Sequence, residues 1–364
     1  MKLFLFLLIL LLPGSIFSQE EEPKSKFSGY MFGDYFYNIS RDTAISSIKY
    51  KALDGNKDLN GFLIRKIYFT FDSDISEKFS VRFRLNAEPQ TQLPNGKMGV
   101  DVKDAFLKWK DIFPGSDFYF GLQPTPAFYT TVDFWGYRLL EKSPLDLRNI
   151  APSRDIAVSL KGRLDGQGIF NYWLLIGNGK DSNSGIDKYK RIYAHLHLIP
   201  SKSWKIILYG DIKFQPEINY QSGSGNEENL NNNIYTSDLF IGYIYLDIFR
   251  IGIEGYIQHV KNGYFLTGDA GIRFRNKNTT GFSVFDVFNI NALFSVIGRY
   301  DYFDNNTGIK GDSRNYFIFG FSYKPDPNVS VTPNILIETY ERLPGARSYH
   351  QSVTARITFF YNYL

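Results

Sequence analysis

The chain has 364 residues, no cysteine, and 41 basic against 37 acidic residues, for a net charge of +4. That balance gives no argument for a nucleic-acid partner, and the missing cysteines exclude disulfides, thiolate metal sites and a lipoprotein anchor. The 26 Tyr, 33 Phe and 4 Trp make 17% of the chain, yet the mean hydropathy is −0.24, which excludes a helical membrane protein and suits a membrane wall of half-polar strands.

In chain order, Lys2, an apolar run over residues 3–12, Pro13-Gly14 and Ser18 before Gln19 and three glutamates read as a secretory signal peptide over 1–18. The run is too short to span a bilayer. Residues 19–26 are expected to be a periplasmic N-terminal tail, and 27–364 the body of the protein. Its most telling stretch is 79–88, where Phe79, Val81, Phe83, Leu85 and Ala87 share one face and Ser80, Arg82, Arg84, Asn86 and Glu88 the other. The same two-phase pattern closes the chain: Val353, Ala355, Ile357, Phe359 and Tyr361 oppose Ser352, Thr354, Arg356, Thr358 and Asn362. Repeated alternation of this length predicts an all-β fold, a sixteen-stranded antiparallel transmembrane barrel.

The predicted strands are 27–37, 61–72, 78–88, 102–110, 117–123, 154–164, 167–176, 188–199, 203–214, 235–247, 249–260, 264–275, 291–303, 315–324, 328–340 and 350–362. An even number puts both termini on the periplasmic side, so short turns should alternate with long external loops. The loops 38–60, 89–101, 124–153, 177–187, 215–234, 304–314 and 341–349 are long, and Asp165-Gly166, 200–202 and 325–327 are tight. Two connections break the rule: Lys261-Asn262-Gly263 is short where a loop is due, and 276–290 is long where a turn is due, so that 282–290 reads as a short periplasmic element. Pro333, inside a strand, is expected to mark a bulge.

Several motifs resemble a known family. Gly121, Gln123, Pro126 and Phe128, then Glu141-Lys142-Ser143, then Arg154-Asp155 and Gly162, are similar to the pattern after the fifth strand of the phosphate-selective porin O/P family. Weaker echoes are Arg65-Lys66 and Arg299-Tyr300-Asp301. The chain departs from that pattern at Ala127, which separates proline from phenylalanine, and at its Tyr363-Leu364 end, where a terminal Phe is usual. No dense arginine ladder or lysine cluster accompanies the match, so phosphate preference does not carry over.

Pro124 and Pro126 stop the fifth strand, and the thirty residues that follow hold Phe128, Tyr129, Phe134, Trp135 and Tyr137, too apolar to hang in water. The resemblance implies that 124–153 folds into the barrel and narrows it. Asp133, Arg138, Glu141, Lys142, Asp146 and Arg148 are then the loop residues of the constriction. Arg82, Arg84, Lys108, Arg154 and Asp155 are the facing lumen residues.

Other chemistry is weak. His195 and His197 share a face with Arg191 and Tyr193, but a metal site needs a third ligand and none is legible. The 304–308 stretch has oxygen ligands and a glycine but no bidentate glutamate at the EF-hand distance. No Gly-x-Ser-x-Gly elbow occurs, so no enzyme activity and no cofactor are expected.

The sequence therefore predicts an outer-membrane porin of a Gram-negative-type bacterium, passing small hydrophilic solutes and ions with a mild anion preference from a basic excess on the inward phase. Expected partners are the bilayer and outer-membrane lipids, the barrel assembly machinery during insertion and, as an assembly this reading allows, a homotrimer. No nucleic acid is expected. The alternative is a binding barrel, an adhesin, receptor or envelope-complex sheath working through its external loops.

Overall fold

The computed structural model describes residues 24–44, 51–181, 183, 185–221, 227–268, 271–342, 345 and 348–363; the signal-peptide segment and residues 19–23 lie outside them. Eighteen strands run β1 (Ser25–Ser40), β2 (Asn60–Asp74), β3 (Phe79–Ala87), β4 (Asp101–Phe113), β5 (Ser116–Pro124), β6 (Arg154–Arg163), β7 (Phe170–Gly177), β8 (Arg191–Ser201), β9 (Trp204–Lys213), β10 (Ile218–Gln221), β11 (Glu227–Leu230), β12 (Ile234–Tyr245), β13 (Phe249–Gly268), β14 (Gly271–Asn289), β15 (Phe294–Asp304), β16 (Ser313–Asp326), β17 (Val329–Tyr340) and β18 (Ser352–Asn362). Sixteen of them form one closed antiparallel barrel, while β10 and β11 pair with each other between β9 and β12.

Closure follows from the chemistry of the wall. An open sheet edge in hydrocarbon would leave unpaired N–H and C=O groups, and β1 removes it by pairing β18 from Tyr30↔Asn362 to Ser40↔Val353. The Tyr363 hydroxyl then donates to the Tyr68 carbonyl across the seam. The pleat sorts side chains: Phe83, Phe120, Leu208, Phe319 and Phe359 are exposed on the outside, whereas Arg82 and Arg84 on β3 pair inward with Asp72 and Asp104. The start of β1 and the end of β18 lie at the end of the barrel that carries the short turns.

The strand count agrees with the sequence reading, and four local expectations do not. β1 begins at Ser25, inside the expected tail. Lys261-Asn262-Gly263 is no turn: the β13–β14 pairing shifts register between Val260 and Tyr264 and continues to Gly268↔Gly271. Residues 282–289 are no separate element but the second half of β14, paired on both sides. Polarity misled there, because the inward positions Phe285 and Val287 are apolar and buried while Asp286 faces outward. At Pro333 the β16–β17 register does not slip, since Gly320↔Asn334 and Tyr323↔Val331 keep step; only the intervening pairs are missing.

Half of the interior is filled. One buried apolar cluster joins Phe134, Trp135, Tyr137 and Leu140 to Ile207, Phe240, Phe285, Val287, Ile297, Tyr316, Ile318 and Leu336. A second joins Ala127, Phe128, Leu145 and Ile150 to Trp173, Leu175, Tyr193, Tyr209, Tyr256 and Phe303. Both couple the segment after β5 to inward side chains of β7–β9 and β12–β17.

Candidate functional site

The segment between β5 and β6 is pinched at its base, where the Thr125 N–H bonds the Ser153 carbonyl and its hydroxyl donates to Pro152 O at 2.6 Å. Gly121, just before it, has φ +128, and a Cβ there would lie 2.3 Å from the Ala105 carbonyl oxygen. Only glycine fits this approach. A first helix, α1 (Tyr129–Trp135), ends at Gly136 with φ +70, whose N–H caps the Val132 carbonyl; a second, α2 (Pro144–Leu147), starts on proline after Ser143.

Polar contacts then tie the segment to the wall. Tyr316 donates to Glu141 at 2.8 Å, Arg299 to the Lys142 carbonyl at 2.6 Å, and Arg250 to the Phe134 carbonyl at 2.8 Å. Arg148 meets Glu338 at 2.8 Å, and Arg65 donates to the Leu139 and Leu140 carbonyls. Phe134 packs edge-on to Phe240 at 5.2 Å, and Trp135 on Phe285 at 4.7 Å. A segment that touches β2, β7, β8 and β12–β18 of one closed barrel crosses its interior.

What stays open runs along β1–β6. On one side of α1 a cavity of about 1260 Å³ is lined by nine basic and five acidic side chains, with Tyr30, Tyr68 and Tyr129 among its neutral lining. On the other side a cavity of about 430 Å³ is lined by six basic and two acidic side chains. Tyr129 borders both, so the two chambers meet at α1.

The sequence-predicted residues separate into three groups. Arg84, Asp133, Arg138, Lys142 and Arg154 line the larger chamber; Arg138 and Lys142 share Asp146 at 3.5 and 3.8 Å, and Arg84 and Arg154 share Asp104 at 3.2 and 2.5 Å. Arg82 and Lys108 line the smaller chamber, paired with Asp72 and Asp117 at 2.7 Å each. Glu141, Arg148 and Asp155 are buried away from both. Asp155 accepts from Tyr193 and from the Gly179 N–H at 2.8 and 2.7 Å.

Fields within the segment differ. Burial pushes the Asp133 carboxyl up, against the pull of Lys205 and Lys161. Burial also works against ionised Glu141, but the Arg356 and Arg65 guanidiniums outweigh it and hold its carboxyl below the ordinary glutamate value.

Tyr30, Tyr68 and Lys103 line the larger chamber as well and were not singled out from the sequence, whereas Lys66 and the loop aromatic Tyr129, which also line it, were. The phase of 27–37 is ambiguous to alternation, and β2 carries a register shift where Phe32/Gly33 meets Lys66/Ile64. His195 and His197 do face inward. Among the described residues no group of three or more His, Cys, Asp or Glu side chains is arranged to hold a metal ion.

No family model matches the chain, and no curated protein matches it significantly. Solved structures do. The anion-selective porin from Comamonas acidovorans is similar over 94% of this chain and 100% of its own, with TM-score 0.63 and 11% identity. The outer membrane channel DcaP of Acinetobacter baumannii covers 96% and 100% at TM-score 0.62 and 9% identity. OmpT of Vibrio cholerae, an outer membrane protein solved in a trimer form, covers 94% and 100% at TM-score 0.62 and 12% identity. The fold is thus a closed sixteen-stranded barrel matching outer-membrane proteins of Gram-negative bacteria.

Proposed function

We propose that the chain is an outer-membrane porin through which small hydrophilic solutes and ions diffuse passively, with a mild preference for anions. The observation that carries it is the half-filled interior: the 125–153 segment covers β7–β9 and β12–β17 and leaves a charged path along β1–β6 on both sides of α1. Size exclusion is set at Tyr129 and Arg138, and the basic surplus of both chambers favours anions through its field. The same reading takes residues 1–18 as the export signal and the outer membrane as the location. It includes insertion by the barrel assembly machinery and a homotrimer, an assembly supported by the trimer form of one structural neighbour.

The test is conductance in planar bilayers. Shortening the segment between Thr130 and Pro144 raises single-channel conductance and admits larger sugars while the barrel still folds. An unchanged conductance puts the segment outside the rate-limiting path and returns weight to the receptor reading, which the exposed apolar Phe265, Leu266 and Ile272 on the long β13–β14 hairpin favour.

A further inference from the structure

One patch of inner wall lies apart from the Arg84–Arg154 cluster and holds buried polar groups without partners. Lys161 on β6 is in register with Trp173 on β7, and Trp173 with His195 on β8. His197 follows two residues on, opposite Ile207, and Lys205 lies two residues before Ile207 on β9. The Lys161 ammonium is 4.5 Å from the Trp173 ring centre, and the His195 ring stacks on Trp173 at 6.4 Å and on His197 at 6.1 Å. Trp173 and His195 are only 6% and 5% exposed. Even so, Trp173 Nε1, both ring nitrogens of His195 and Nε2 of His197 have no hydrogen-bond partner. The two ammoniums rest on aromatic faces, Lys161 on Tyr129 and Trp173 and Lys205 on Phe134, and among the described residues no carboxylate lies within 4.0 Å of either. The patch is reached from its Lys161–Trp173 end, where both side chains line the smaller chamber.

A buried indole N–H and imidazole N–H groups without acceptors cost free energy, and a guest that accepts hydrogen bonds satisfies them. We propose that Lys161, Trp173, His195, His197 and Lys205 form a binding site for a small monovalent aliphatic carboxylate. Charge sets the valence: Lys108 and Arg82 are neutralised by Asp117 and Asp72, the two ammoniums are left with the one carboxylate of Asp133, which feels both, and a monoanion neutralises the remaining positive charge. Geometry sets the shape. The donors come from four neighbouring strands, and a carboxylate accepts from two directions through two oxygens held in one plane, whereas a single-atom ion has no preferred direction. Sterics set the rest, because the Trp173 ring is already covered by Lys161, His195 and the edge-on Tyr129 ring at 5.9 Å, leaving no face for an aromatic acid.

The site does not depend on the channel reading, and it is tested without conductance. The full barrel in detergent is titrated with ¹³C-acetate, and the excess transverse relaxation of the acetate signal is followed with unlabelled acetate, chloride and sulfate as competitors. Saturable relaxation is expected, reversed by acetate and only weakly by chloride or sulfate. The double variant Lys161→Gln with Lys205→Gln should weaken acetate binding at least tenfold with heat-modifiable migration retained. Asp133→Asn, a change in the loop rather than the wall, raises the surplus to two charges and should make sulfate the stronger competitor. Equal relaxation in wild type and the double variant overturns the proposal, as does chloride competing as well as acetate, or sulfate competition unmoved by Asp133→Asn.

Discussion

Arg148→Met tests how the interior segment is held. Arg148 and Glu338 are 1% and 0% exposed and meet at 2.8 Å, with the guanidinium also over the Phe303 ring at 5.0 Å. Methionine keeps most of that packing and removes the charge. Losing one partner of a buried pair costs about 3–5 kcal/mol, because the other charge is left uncompensated. Here Glu338 keeps the Ala52 N–H at 3.0 Å, the Leu53 N–H at 3.4 Å and the Tyr340 hydroxyl at 3.1 Å, so the lower end, about 3 kcal/mol, applies. At about 1.4 kcal/mol per factor of ten, the seating equilibrium of the segment falls roughly a hundredfold, while the barrel ladder, to which Arg148 contributes nothing, is untouched. Hydrogen exchange read by mass spectrometry on peptides from 139–150 should show that loss of protection, with strand peptides unchanged. Adding Glu338→Leu should restore much of it, since the stranded carboxylate is then gone. Protection within threefold of wild type in Arg148→Met would refute the assignment of the pair as a tie.

Sidedness predicts unequal costs on β3: Phe83→Arg, on the outward phase, should destabilise by about 2–4 kcal/mol if near the midplane, whereas Arg82→Ser, losing a partly exposed pair, should cost under about 1 kcal/mol in urea titrations from liposomes. Gly121→Ala forces a methyl against the Ala105 carbonyl and should abolish heat-modifiable migration or lower the unfolding midpoint well below that of Gly166→Ala, where a Cβ meets nothing. Glu141, held below its ordinary value when folded, adds stability that is fully present above about pH 4.5 and is lost as pH falls through its folded value, so the protection factors of 139–150, taken relative to the intrinsic exchange rate at each pH, should fall on acidification and Glu141→Gln should flatten that dependence. Reversing Arg82 and Arg84 to Glu should move reversal potentials toward cations at 0.1 M salt and much less at 1 M, where the screening length shrinks from about 10 to about 3 Å; equal shifts at both salts would count against a field mechanism.

The barrel was legible because its outer face must be apolar: the odd positions of β3 and of the C-terminal strand say so whatever lies inside. The inner face is legible only where it meets water. On β1–β6, Arg82, Arg84 and Lys108 alternate cleanly with apolar neighbours, and the reading matched the strands within a few residues. On β12–β17 the inward positions Phe240, Phe285, Val287, Ile297, Ile318 and Leu336 are covered by Phe134, Trp135 and Leu140, so both phases turn apolar and alternation fades. That is why β14 was split. The same cause hid the ties of Glu141 and Arg148: charged loop residues suggest a wet lumen, and only the fold reveals that their partners Tyr316 and Glu338 are buried.

The interior ties also order events in time. Glu141, Lys142 and Arg148 bond partners 175, 157 and 190 residues downstream, on strands that are the last to be made. No seating of 125–153 is possible until those strands are in place, and loop closure over such separations is slow compared with hairpin zipping. The newly closed barrel therefore begins wide and narrows in a separate, later step, and a chain halted before β15, without the strand that β1 pairs, would have neither a closed wall nor a seated segment.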